Sequence, residues 1–283
     1  MTTPVDTGTE DLLAELHDDG VLVATLNRPD TRNAFSGAMG AALSEIYRRA
    51  DADDAVRVVV LTGPPPAFCA GADFSGGSQV FERQEGSSFH ANPVRPAAWQ
   101  IRKPVIAAVN GHAIGIGFTI TLHCDLRFMA HDAKYGIVQV RRGVMPDGMS
   151  TWTLPRIAGM AKAADIMLTG RTFTGAEAES LGVASRVLPN DEVLPAALEV
   201  AHDIAVNTAP VSVAVTKRLM WSSFGLDPTQ VDHAETELHK VVMGEADARE
   251  GVMAYLERRE PEWSLTLSEH WPTEWPGPEE EVL

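Results

Sequence analysis

Apolar and polar residues alternate twice near the start of the chain, over Leu13–His17 and Val21–Leu26, with Asp18-Asp19-Gly20 between them. A period of two turns one face of each segment inward, and Asp-Gly suits a tight turn, so this stretch predicts a β-hairpin. The period then changes. After Ser36 the apolar residues fall at Met39, Leu43, Ile46 and Tyr47, the spacing of one helix face behind a serine N-cap. Val56–Thr62 and Val105–Asn110 are rich in β-branched and apolar residues and predict buried strands. A glycine-punctuated turn from Gly111 to Gly117 leads into a short helix ending near His123, and Leu126–Ala130 reads as a further strand. From Asp191 onward the pattern is helical, over 191–206, 210–222, 228–242 and 246–258.

Three stretches lack that periodicity. Residues 1–9 read as a loose polar lead. Residues 75–96, rich in Gly, Ser, Gln, Asn and Pro, read as a mobile loop of the length that often forms lids or binding loops. The end, Pro261–Leu283, is rich in Trp, Pro and Glu. With prolines at 272, 276 and 278 it cannot be one continuous helix. No sequence repeat stands out. The chain therefore predicts β/α units over 1–190, an all-helical segment over 191–260 and a tail over 261–283.

Composition narrows the partners. The 283 residues are 45% hydrophobic and 22% charged, enough to bury a substantial core. A net charge of −16 disfavours nucleic acid and anionic membranes, both of which need clustered Lys and Arg. A phosphorylated small ligand stays open, since a few local arginines suffice. Cys69 and Cys124 sit in apolar contexts without metal-ligand spacing, which fits free thiols in a reducing compartment. The acidic N-terminus has no apolar signal region and no run reaches membrane-spanning length. A cytoplasmic location is expected.

Five stretches in order resemble one family. They are Asn27-Arg28-Pro29 through Asn33-Ala34-Phe35; Phe68-Cys69-Ala70-Gly71-Ala72-Asp73; Lys103-Pro104-Val105 through Asn110-Gly111 with Gly115-Ile116-Gly117; Leu168-Thr169-Gly170-Arg171 with Ala178 through Ala184; and Glu250-Gly251 to Arg259-Glu260-Pro261. Together, over roughly residues 12–263, they resemble the crotonase (enoyl-CoA hydratase/isomerase) superfamily. That resemblance implies a ClpP-like α/β spiral of ββα units with a C-terminal helical domain used for oligomerisation. It also implies a homotrimer or dimer of trimers, and an acyl-CoA substrate. No separate cofactor is implied, because coenzyme A enters as part of the thioester.

The resemblance assigns roles residue by residue. The peptide N–H groups of Ala72 and Ile116 would face the thioester oxygen, where a preorganised donor pair stabilises an enolate. Backbone groups of Ala70 and Asp73 would meet the adenine, and Arg28 or, by preference, Arg32 the phosphates. The family's hydratases carry two glutamates, and at those positions this chain has Thr119 and Gln139, neither able to exchange a proton near neutral pH. Both could position a substrate or a water.

Asp147, in Gly143-Val144-Met145-Pro146-Asp147-Gly148, aligns with an aspartate of several relatives, among them isomerases that shuttle a proton on one carboxylate. Pro-Asp-Gly is equally a common turn sequence. The dehalogenase branch needs a histidine before the Lys103-Pro104 strand, where this chain has Pro96-Ala97-Ala98-Trp99, with His90 further back. Trp99 and Trp152 suit either an aromatic acyl pocket or the core; His112 and His123 read as structural. An isomerase-type proton transfer on Asp147 is expected first. The alternatives are a hydratase, lyase or thioester hydrolase working on water held by Thr119 and Gln139, and a CoA-ester-binding protein without turnover.

Overall fold

The computed structural model describes residues 1–77 and 90–275. The expected hairpin forms as β2 (Leu12–His17) and β3 (Val21–Leu26), antiparallel with Leu12 opposite Leu26. The first residues are not a loose lead. Thr2–Val5 is a strand, β1, paired antiparallel with β2 from Thr2 opposite His17 to Val5 opposite Ala14. Four residues are too few to show a period, and the free edge of β2 supplies the pairing. Beyond β3 the sheet continues in parallel through β4 (Val58–Thr62), β6 (Val105–Val109), β8 (Leu126–Ala130) and β11 (Arg186–Leu188). Every residue of β4 and β6 is buried, as the apolar runs require.

A second sheet holds the short strands β5 (Ala67–Cys69), β7 (His112–Ile114), β9 (Lys134–Gly136) and β10 (Thr172–Thr174), in the order β10-β9-β7-β5. Three times a long strand of the first sheet runs on into a short strand of the second: β4 into β5, β6 into β7, β8 into β9. This is the expected succession of ββα units, repeated in space without a repeated sequence.

The helix after Ser36 is α1 (Gly37–Ala52), capped by Ser36 Oγ, which accepts from Met39 N at 3.0 Å. The chain then forms α2 (Ile116–Thr119), α3 (Ser150–Ala158), α4 (Met160–Thr169) and α5 (Gly175–Leu181). The helical third is α6 (Val193–Asn207), α7 (Pro210–Ser222), α8 (Pro228–Met243) and α9 (Ala246–Glu257), and a single turn, α10 (Leu267–His270), lies in the tail. α6 packs across β4, β6 and β8 through Ala197, Ala201 and Ala205, small residues four apart that let a helix approach a sheet closely. A second apolar cluster gathers Val211, Ala214, Val215 and Leu238 around Leu265 and Leu267.

One buried cation ties α7 to the sheets. Lys217 Nζ donates to the carbonyls of Ala98 and Lys103 and lies 2.8 Å from Asp125 Oδ2. Asp125 also accepts from Val105 N and Trp221 Nε1. An ammonium with three oxygen partners meets the condition for burying a charge.

Of the loop expected over 75–96, residues 78–89 lie outside the described residues. The remainder after them is packed: Asn92, Val94 and Pro96 are buried. Arg95 N donates to Ser44 Oγ on α1. No helix among the described residues is long and apolar enough to cross a membrane.

Candidate active site

β5 and β7 run parallel and adjacent, Ala67 opposite His112 and Cys69 opposite Ala113, so the turns leaving their C-terminal ends emerge side by side. The first turn is Ala70-Gly71-Ala72. Its Gly71 has φ +105°, and a side chain there would meet Ile114 O at 3.0 Å. Phe35 N donates to Gly71 O at 2.7 Å, and Ala70 N donates to Arg32 O, anchoring this turn to the segment before α1. The second turn is Gly115-Ile116-Gly117. Gly115 has φ +57° and ψ −126° as the N-cap of α2, a conformation essentially confined to glycine. A Cβ on Gly117 would lie 2.3 Å from Cys69 O, so glycine is what allows the two turns to touch.

Within this contact the amides of Ala72 and Ile116 donate to no other described residue. Ile116 is buried and opens α2. Ala72 is half-buried. An unpartnered N–H is costly where it is buried, as at Ile116, and two such amides on touching turns can receive an oxygen carrying negative charge.

Asp147 stands beside this pair. Its Oδ1 accepts from Thr119 Oγ1 at 2.8 Å and from Gln139 Nε2 at 2.9 Å. Thr119 ends α2 and is fully buried; Gln139 opens the 3-10 turn Gln139–Arg142 and is buried too. The Gln139 amide also lies 3.7 Å from where a Gly115 side chain would begin, joining the carboxylate to the oxyanion-type turn. Burial raises the Asp147 pKa from its ordinary value, and the hydrogen bonds from Thr119 and Gln139 pull in the opposite direction. The single hydroxyl hydrogen of Thr119 is thus committed to Asp147, while the second N–H of the Gln139 amide has no partner among the described residues. Gln139 Oε1 is buried and without a partner among the described residues.

Sequence reasoning had not joined these three side chains. What brings them together is Gly148, whose φ of +54° and lack of a Cβ let Asp147 approach Thr119 (a Cβ would sit 2.7 Å from Thr119 Oγ1), and His123, one helical turn after Thr119. His123 Nε2 lies 2.6 Å from Gly148 O, so it acts as the donor there. Burial pushes its pKa down to about 4, and the ring is neutral. Ala91 O accepts from Gly148 N, and Asn92 Nδ2 approaches Met149 Sδ, closing the Asp147 turn from the other side.

The remaining candidates divide. Arg28 is committed: it lies 2.9 Å from Asp73 Oδ2, donates to Ala34 O and faces Asp11 at 3.7 Å. Asp73 has its pKa lowered, first by Ser75 N and then by Arg28. Arg32 is exposed with φ +54°, and its guanidinium makes no hydrogen bond or ion pair with a described residue. His112 accepts from Lys134 N. His90 is exposed and bonds within its own turn to Asn92. Trp99 and Trp152 pack against one another with centroids 5.4 Å apart, both joining Trp221, with Phe224 edge-on.

Two turns that present unpaired amides, with a half-buried carboxylate next to them, make a site for acidifying or protonating carbon beside an activated carbonyl. The comparisons with known proteins give the class a family. A model of the enoyl-CoA hydratase/isomerase family matches residues 17–265, and the chain belongs to that family, with its crotonase fold. An enoyl-CoA hydratase of Alternaria alternata is 34% identical over 253 residues, covering 89% of this chain and 85% of that one. A 1,2-epoxyphenylacetyl-CoA isomerase of Escherichia coli K12 is 31% identical over 253 residues, covering 87% and 96%. The crystal structure of a probable enoyl-CoA hydratase/isomerase from Mycobacterium abscessus superposes with a TM-score of 0.83 at 49% identity, covering 90% of this chain and 98% of that one. The chain is thus an enzyme family member of the acyl-CoA class.

Proposed function

We propose that the protein is an enoyl-CoA isomerase-type enzyme in which Asp147 is the sole acid/base. The observation that carries this is the placement of Thr119 and Gln139: both donate to Asp147 Oδ1, leaving Oδ2 to exchange a proton. In the reaction, Asp147 takes a proton from a carbon conjugated with the thioester. The electron pair moves onto the thioester oxygen, which the N–H groups of Ala72 and Ile116 stabilise. The proton then returns at a different carbon, so the double bond moves while the atoms of the substrate are unchanged. A carboxylate whose pKa is raised by burial is the better matched to such a shuttle. Of the two candidate phosphate ligands Arg32 is the free one, with Ala70 and Asp73 on the adenine side. No group beyond the thioester's own coenzyme A is required.

A second reading rests on Gln139 Oε1. This orphaned acceptor can take one hydrogen of a water whose other hydrogen points to Asp147 Oδ2, which would support hydration or thioester hydrolysis. Wild type and Asp147→Asn, assayed on 2-enoyl, 3-enoyl and phenylacetyl-derived CoA esters in heavy-oxygen water with mass detection, separate the readings. Double-bond movement without label, lost in Asp147→Asn while CoA-ester binding persists, is the expected result. Label in the product establishes the second reading. Turnover surviving in Asp147→Asn removes Asp147 from the chemistry, and binding without turnover by wild type would make the protein a CoA-ester carrier.

A further inference from the structure

Three backbone groups next to the Asp147 carboxylate are bonded. Asp147 O accepts from Ser150 N at 3.0 Å and from the Ser150 hydroxyl at 2.6 Å. Gly148 N donates to Ala91 O at 2.8 Å, and Gly148 O accepts from His123 Nε2 at 2.6 Å. Ser150 lies only three residues on and moves with the turn. His123 is different, because it belongs to the element that also carries Ile116.

That element is α2, which continues from Thr119 into a 3-10 turn, Ile120–His123, with every residue buried. Along this rod lie three groups that face the site: the Ile116 N–H, the Thr119 hydroxyl on Asp147 Oδ1, and His123 Nε2 on Gly148 O. Thr119 thus holds the carboxylate and His123 the backbone beneath it. The His123 bond matters because Gly148, at φ +54°, has torsional freedom that a residue with a side chain lacks. A swing of its peptide would carry the Asp147 side chain with it. An imidazole N–H is a rigid donor, fixed in the plane of a buried ring.

We propose that His123 is a positioning residue for the proton transfer, its Nε2–H holding Gly148 O so that the Asp147 carboxylate stays in register with the Ile116 amide. One rod then sets the spacing between the base and the donor that stabilises the thioester oxygen. His123 exchanges no proton with the substrate; its ring is neutral, with Nδ1 unprotonated. This inference rests on Asp147 being the acid/base.

Kinetics of the full-length wild type, Asp147→Asn, His123→Leu and His123→Gln on one CoA ester test it. His123→Leu leaves Gly148 O without this donor, and misplacement of the base by about 1 Å lowers kcat about a hundredfold. KM is expected to stay within about twofold, since substrate binding does not use this bond. His123→Gln, whose amide nitrogen reaches where Nε2 does, is expected to recover most of kcat. His123→Leu as fast as wild type, or His123→Gln as slow as His123→Leu, overturns the proposal while an inactive Asp147→Asn leaves the reaction itself standing. Turnover surviving in Asp147→Asn fails the underlying reading, and this one with it. If His123→Leu does not fold, nitrogen NMR of the wild-type imidazole decides at neutral pH. The Nε2–H tautomer is the expected result, and an Nδ1–H tautomer overturns the assignment.

Discussion

Replacing Thr119 by Val removes one hydroxyl from the Asp147 clamp and almost nothing else. The side chains are nearly the same shape, Thr119 is fully buried, and its hydroxyl reaches Asp147 Oδ1 at 2.8 Å, with only a long 3.4 Å contact to Ile116 O besides. A hydrogen bond to a charged acceptor contributes about 1.5–3 kcal/mol, and here it favours the ionised carboxylate. Its loss therefore raises the Asp147 pKa further, in the direction burial already drives it. A base with a higher pKa is less ionised at a given pH on its acidic limb, so the limb of kcat/KM moves to higher pH. At a fixed pH on that limb the rate falls roughly ten- to a hundredfold, about 1.4 kcal/mol per factor of ten. Well above the limb, wild type and variant converge. The assay is the pH profile of kcat/KM on whichever CoA ester turns over, read beside circular dichroism. A variant that is uniformly slower at every pH, with an unmoved limb, would refute the clamp and leave Thr119 as packing.

Gly117→Ala forces a Cβ to 2.3 Å from Cys69 O. Because the backbone on both sides must shift, a loss of at least 1–3 kcal/mol in urea unfolding, or failure to fold, is expected. His123 titrates near 4 when folded and near 6.5 when unfolded, so the unfolded chain binds more protons between those values. Stability should fall by about 3 kcal/mol as pH drops through that window, and His123→Gln should flatten this part of the urea-midpoint profile. Met220, Phe224, Met243, Val252, Tyr255 and Leu256 are exposed on or beside the last helices, apolar side chains that contact between copies of the chain would cover. Sedimentation is expected to give a trimer or a dimer of trimers, and a monomer at working concentration would contradict this.

Elements with a long, one-sided pattern were legible. β3, α1 and the four helices from Val193 to Glu257 fall within a few residues of their expected positions, because each buries a regular face against a partner. What was not legible lacks such a face. β1 has four residues and a proline, and depends on the edge of β2. α3 carries Pro155 inside its own span, which the composition of that stretch disguises as a break. The short second-sheet strands, three residues each, show no period at all. Their place is set by the neighbouring strand rather than by their own side chains.

The same division runs through the site. The glycines around Ile116 and Ala72 were readable because a close approach of two backbones leaves a trace in composition: any Cβ at Gly117 would collide with Cys69. The clamp left no such trace. Thr119, Gln139 and Asp147 are 28 and 8 residues apart and come from three different elements, and each taken singly is unremarkable as a helix end, a turn residue or a cap. Read one at a time against a two-glutamate site, Thr119 and Gln139 look like losses. Joined in space they are a gain for a different carboxylate, since two neutral donors hold an aspartate where two acids would repel it. A second glutamate at either position would sit within hydrogen-bond distance of Asp147 and drive one of the pair to stay protonated. On the function proposed above, neutral donors at 119 and 139 leave Asp147 as the one carboxylate of the three.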